Sequence, residues 1–97
     1  MDKTIYYNAL YDLYHGLLTE KECECFVDYF AEDLSLSEIA ENKNVSKNAI
    51  HKTLKTVIEK LDHYEEQLKI YGMKQQLIKI KNLSTKEEMM EALDEII

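Results

Sequence analysis

Lys47, Asn48, His51, Lys52 and Lys55 fall within the nine residues KNAIHKTLK, and from Ser46 to Ile58 no acid interrupts them. Ammonium groups contact phosphates or a guanine edge, and an Asn amide can bond an adenine edge. Protonation of His51 would add charge between the lysines. The same basic stretch would also suit an acidic protein surface. Its composition alone leaves both partners open.

The surrounding pattern says how such a stretch would be held. Leu36 to Leu61, LSEIAENKNVSKNAIHKTLKTVIEKL, has the layout of a helix-turn-helix. Ile39 and Ala40 belong to a short first helix, and the small Ala40 lets two helices cross closely. Asn44 stands at the turn, where a positive φ is needed and Asn is among the few residues that tolerate it. Val45 completes the turn and Ser46 caps the next helix. Ile50 and Leu54 face inward. This architecture commonly lays its second helix in the DNA major groove.

The whole chain reads as all-α. Its 97 residues suffice for one compact domain, with 45% hydrophobic content, two glycines, no proline and no tryptophan. The formal charge is −7, which lowers general affinity for nucleic acid. That charge is unevenly spread. Residues 1 to 35 carry two lysines against eight acids, whereas residues 36 to 62 carry five against four. All twelve basic residues are lysines, so the bidentate arginine–guanine contact is unavailable.

Spacings of three and four predict a first helix over about Thr4 to Leu18, with Tyr7, Tyr11 and Tyr14 on a packing face. Thr19-Glu20-Lys21-Glu22 and Ser35-Leu36-Ser37-Glu38 are capping boxes that open the next two helices. The recognition helix should then continue from Lys47 to Tyr71, with Gly72 as its C-terminal cap. Its seam, Ile50, Leu54, Val57, Leu61, Tyr64, Leu68 and Tyr71, outruns a small three-helix core. The distal part must pack on the C-terminal helices or on a second chain. We therefore expect residues 1–71 to form the helix-turn-helix domain and 72–97 a helical segment covering it or a partner. Ser84-Thr85-Lys86-Glu87 is a third capping box before the last helix. A dimer would use Leu61, Tyr64, Leu68, Tyr71, Leu93 and Ile96.

Other chemistries are poorly represented. No Gly-rich phosphate loop, nucleophile elbow or metal-ligand spacing is present, so neither an enzyme nor a cofactor or metal site is expected. Cys23 and Cys25 point to different sides of a helix and read as free thiols. No export signal or run of about twenty apolar residues occurs, and a cytoplasmic location is expected.

Four segments carry a more specific likeness: NALYDLYHGLLTEK (Asn8 to Lys21), DYFAEDLSLSEIAE (Asp28 to Glu41), VSKNAI (Val45 to Ile50) and LDHYEEQL (Leu61 to Leu68). On these the chain resembles the YlxM-type helix-turn-helix family. That family is similar to the C-terminal promoter-reading domain of bacterial sigma factors, a wingless helix-turn-helix, and is associated with the signal recognition particle. The resemblance implies DNA contacts by Lys47, Asn48, His51, Lys52 and Lys55, with Ser46 capping the helix and donating to a phosphate. It implies a DNA-binding regulator, or alternatively an adaptor docking on a signal recognition particle protein or RNA. Lysines stand where sigma domains favour arginines, and Lys43 stands where they place an apolar residue.

Overall fold

The computed structural model describes residues 3–82 and 86–96, and among them every regular element is helical. In chain order these are α1 (Thr4–Tyr14), α2 (Glu20–Phe26), α3 (Leu36–Lys43), α4 (Lys47–Leu68), α5 (Ile70–Lys81) and α6 (Lys86–Ile96). Both expected capping boxes form. Thr19 Oγ1 accepts from Glu22 N, and Glu22 Oε1 accepts from Thr19 N. Ser35 and Glu38 repeat the exchange at the start of α3. Each box satisfies two orphan helix donors, which sets these starts locally.

The end of α1 departs from expectation. α1 stops at Tyr14 and passes into a 3₁₀ turn, His15–Leu17, rather than running on to Leu18. α2 continues as a π turn, Val27–Ala31, in which Glu32 N donates to Val27 O at 2.9 Å. The wider turn leaves Phe26 and Phe30 stacked with centroids 4.5 Å apart, so both rings enter the interior. The aromatic stripe of α1 is packing surface: Tyr14 is buried and Tyr11 stacks on Phe26.

α4 is the axis of the fold. Ile50, Leu54, Val57 and Leu61 recur at steps of four and three, which places them on one buried stripe. Ile50 and Leu54 join Cys25, Ile39 and Ala40 in the core of the helix-turn-helix. Val57 and Leu61 join Leu10, Tyr14 and Phe26 in a second cluster against α1 and α2. Phe30 packs against both clusters. Full burial of each such side chain contributes roughly 1.5–3 kcal/mol.

The distal half of α4 thus leans first on the N-terminal helix, with Tyr71 of α5 packed against the same cluster. Leu61 is fully buried there, and Tyr64 donates its hydroxyl to Leu17 O at 3.2 Å. α1 reaches this stretch through tyrosine hydroxyls along its length: Tyr7 donates to Asp62 at 3.1 Å, and Tyr14 donates to Glu65 at 2.7 Å.

α4 also ends earlier than expected. Lys69, not Gly72, adopts the left-handed conformation, with φ 52 and ψ 31, and Gly72 lies within the first turn of α5 with no positive φ. The cause is Glu65. Its carboxylate accepts from Tyr71 N at 3.0 Å and Gly72 N at 3.1 Å, while Tyr14 Oη accepts from Ile70 N at 3.2 Å. These three amides are orphan donors of α5, and satisfying them forces the break one turn upstream of the glycine. Tyr71 meets Tyr6 edge-on at 5.3 Å, which ties α5 to α1. α6 packs back along α5. The third capping box falls partly on residues 83–85, outside the described residues.

Candidate nucleic-acid interface

The turn between α3 and α4 forms as its residue types require. Asn44 adopts φ 54 and ψ 46. Val45 N donates to Ala40 O at 3.0 Å and Asn44 N donates to Glu41 O at 3.2 Å, the paired bonds of a Schellman motif. Ser46 Oγ then accepts from Ala49 N at 3.0 Å, so the serine caps α4. Its hydroxyl hydrogen is left for another acceptor.

Every residue expected on the contact face is exposed: Ser46, Lys47, Asn48, His51, Lys52 and Lys55. At 100° per residue, the five on α4 fall within an arc of about 140°, which starts at Lys47 beside the buried Leu54 and reaches the side opposite the buried stripe at Lys52. The stretch is about 13 Å long, close to the width of a B-DNA major groove, about 12 Å. Further along the same arc stand Glu59, Asp62 and Glu66, all exposed. Positive charge on this arc is thereby confined to the first turns of α4.

The lysines of the helix-turn-helix divide into two classes. Lys43 donates to Glu24 at 2.9 Å and stands 3.9 Å from Asp28, which clamps α3 to α2. The hydrogen bond to Glu24 holds its ammonium above the usual lysine range, against the opposing effect of burial. Lys43 thus replaces the expected apolar residue by crossing to a neighbouring helix. Lys60 lies 2.8 Å from Glu22, whose carboxylate is mostly buried. Burial alone would raise the Glu22 carboxyl. Hydrogen bonds from Lys60 and Thr19 outweigh it and hold the group below the usual carboxylate range. By contrast, Lys47, Lys52 and Lys55 have no carboxylate partner among the described residues.

Sequence reasoning did not find the positioning roles of Glu22, Glu24 and Glu65. Their partners lie 19 to 51 residues away. Only the capping-box position of Glu22 was a local signal.

The residues expected at a dimer interface separate in the structure. Leu61 belongs to the chain's own core, and Tyr64 and Tyr71 pack around it. Leu68 is 49% exposed and Leu93 38% exposed. Nothing is described of the Ile96 side chain. Cys23 and Cys25 are free thiols, and burial pushes the Cys25 thiol up, away from reactivity. No group of three metal-ligating side chains gathers among the described residues, and none of their helices is long and apolar enough to cross a membrane.

Comparison with known proteins agrees with this geometry. The UPF0122 family model, a helix-turn-helix protein, YlxM / p13 like, matches residues 1–96. A UPF0122 protein of Ureaplasma urealyticum is 43% identical over 95 residues, covering 98% of this chain and 96% of the relative. Another, from Fusobacterium nucleatum, is 38% identical over 101 residues, covering 100% and 98%. A third, from Lactococcus lactis, is 36% identical, covering 99% and 91%.

Proposed function

The chain belongs to the UPF0122 family of YlxM / p13-like helix-turn-helix proteins, and from that membership we propose a DNA-binding regulator that reads a short site with Lys47 to Lys55. The observation carrying this reading is the division of the lysines. Lys43 and Lys60 are held in ion pairs between helices, whereas Lys47, Lys52 and Lys55 stand on one exposed arc without a carboxylate partner among the described residues. A cation with no protein partner, beside the exposed Asn48 and His51, is available to phosphates and base edges. Ser46 would add a hydroxyl to a backbone phosphate at the start of α4.

A second copy of the chain completes this reading. Leu68, Ile70, Met73, Leu77 and Ile78 remain exposed on the end of α4 and on α5, and Leu93 on α6. Covering them with the same surface of a partner would give a two-fold dimer, fixing the spacing of two recognition helices for a palindromic site.

Titration of purified protein into labelled random-sequence duplex across a salt series tests the DNA reading. Binding should weaken steeply with salt, and Lys52→Glu with Lys55→Glu should abolish it while helicity is unchanged. Unchanged binding by that double variant refutes the reading.

One alternative has an observation of its own. The net charge of −7, with Glu59, Asp62 and Glu66 on the recognition helix, favours an adaptor docking on a signal recognition particle component. Selective binding to the particle's RNA or GTPase, with none to duplex DNA, would establish it.

A further inference from the structure

Beside the recognition face, α2 and α4 enclose a groove of about 260 Å³ lined by Thr19, Lys21, Glu22, Lys52, Thr53 and Thr56. Resting on the DNA reading above, we propose that this groove seats a backbone phosphate of the DNA strand bordering the major groove, with Lys21 as a cation of the interface. The placement follows from helix geometry. Lys52 ends the arc of contact-face residues on α4, and Thr56 and Thr53 follow it around the helix toward α2. The groove therefore continues the basic face onto a second element instead of forming a separate site.

Its chemistry suits one phosphate. Lys21 and Lys52 bring positive charge from opposite walls, and Thr19 and Thr56 bring hydroxyls. Thr53 already donates its hydroxyl to Ala49 O at 3.0 Å. The acid in the lining does not oppose an anion strongly. Glu22 is mostly buried, accepts from Thr19 N, and is paired with Lys60.

Lys21 also lacks a structural reason for its charge. It lies in the first turn of α2, where the helix dipole disfavours a cation. Despite acidic neighbours in sequence, it makes no ion pair among the described residues. A cation kept at an unfavourable helix end without a partner is accounted for by a phosphate that arrives with the DNA. Contact from α2 would also fix how α4 enters the groove, since phosphate contacts set orientation and base contacts set sequence.

The test compares Lys21→Gln, Lys21→Arg and Lys74→Gln by fluorescence anisotropy on a random-sequence duplex across a salt series. Lys74 lies exposed on α5 and supplies the same change of net charge away from the groove. Lys21→Gln should weaken binding to all sequences alike and reduce the slope of log K against log salt by about 0.9, the release expected from one phosphate contact. Lys21→Arg should restore the slope, and Lys74→Gln should leave it unchanged. A slope in Lys21→Gln equal to wild type, while the Lys52/Lys55 double reversal loses binding, overturns the groove and leaves the DNA reading standing. Equal losses from Lys21→Gln and Lys74→Gln reduce Lys21 to general charge and also overturn it. Wild-type protein that binds no duplex overturns both.

Discussion

At the scale of single residues, the junction between α4 and α5 holds an unusual allocation. Lys69 occupies a left-handed position at φ 52, while Gly72, three residues later, sits in an ordinary helical turn. A side chain in the left-handed region costs roughly 1–2 kcal/mol, and a glycine inside a helix costs about 0.5–1 kcal/mol relative to alanine. Lys69→Gly should therefore stabilise the protein by about 1 kcal/mol. Gly72→Ala should stabilise it by about 0.5–1 kcal/mol, because a Cβ there meets only Glu65 Oε2, at 3.8 Å. Denaturant midpoints of the two variants check this. A lower midpoint for Lys69→Gly would show that the lysine side chain contributes more than its backbone strain costs. Asn44 shows the opposite situation. There the residue type itself marked the left-handed turn, because no competing bond network was needed to force it.

At the scale of elements, ion pairs between helices orient α3 and α4 against α2. Glu22 is the best placed, since its carboxylate both closes the capping box of α2 and holds Lys60 of α4. With its folded pKa below the ordinary value, the pair contributes stability above that value and loses it as pH falls through the lower folded one. Acidification from about pH 5 to pH 2 should thus lower the melting temperature of wild type more than that of Glu22→Gln, which keeps a capping-box amide but loses the charge. Identical acid profiles would mean that the pair adds no net stability. On the alkaline side, the hydrogen bond to Glu22 holds Lys60 above the usual lysine range, so that arm fades only as pH rises through the raised value. The starts of α2, α3 and α4 were legible because Thr19, Ser35 and Ser46 cap their own helices. The end of α4 was not, because Glu65 and Tyr14 terminate it from 51 residues apart.

At the scale of the molecule, the dimensions are 58 × 22 × 22 Å with a radius of gyration of 17.5 Å. A compact domain of this length would have about 12.5 Å. α4 alone accounts for about 33 Å, and the hairpin of α5 and α6 extends beyond the body with Met73, Leu77 and Ile78 uncovered. If a second copy covers this surface, light scattering should give twice the 11.5 kDa chain mass, and Leu77→Lys should return it to a single chain. A single-chain mass for wild type at every concentration would discard the dimer. A monomeric Leu77→Lys that still binds DNA, with a smaller salt slope, would show that each recognition helix works alone.

The all-helical class, the helix-turn-helix register, three helix starts and the left-handed Asn44 were determined by the sequence alone. Each depends on contacts within a few residues: a cap, a turn conformation, a stripe at steps of three and four. Tertiary structure alone decided where α4 breaks, that α1 joins Tyr71 of α5 in covering Leu61, and which lysines are held in ion pairs. Lys43 and Lys60 look like Lys52 and Lys55 in a charge count. What separates them is whether folding brings a carboxylate within about 3 Å, and that depends on how distant helices cross.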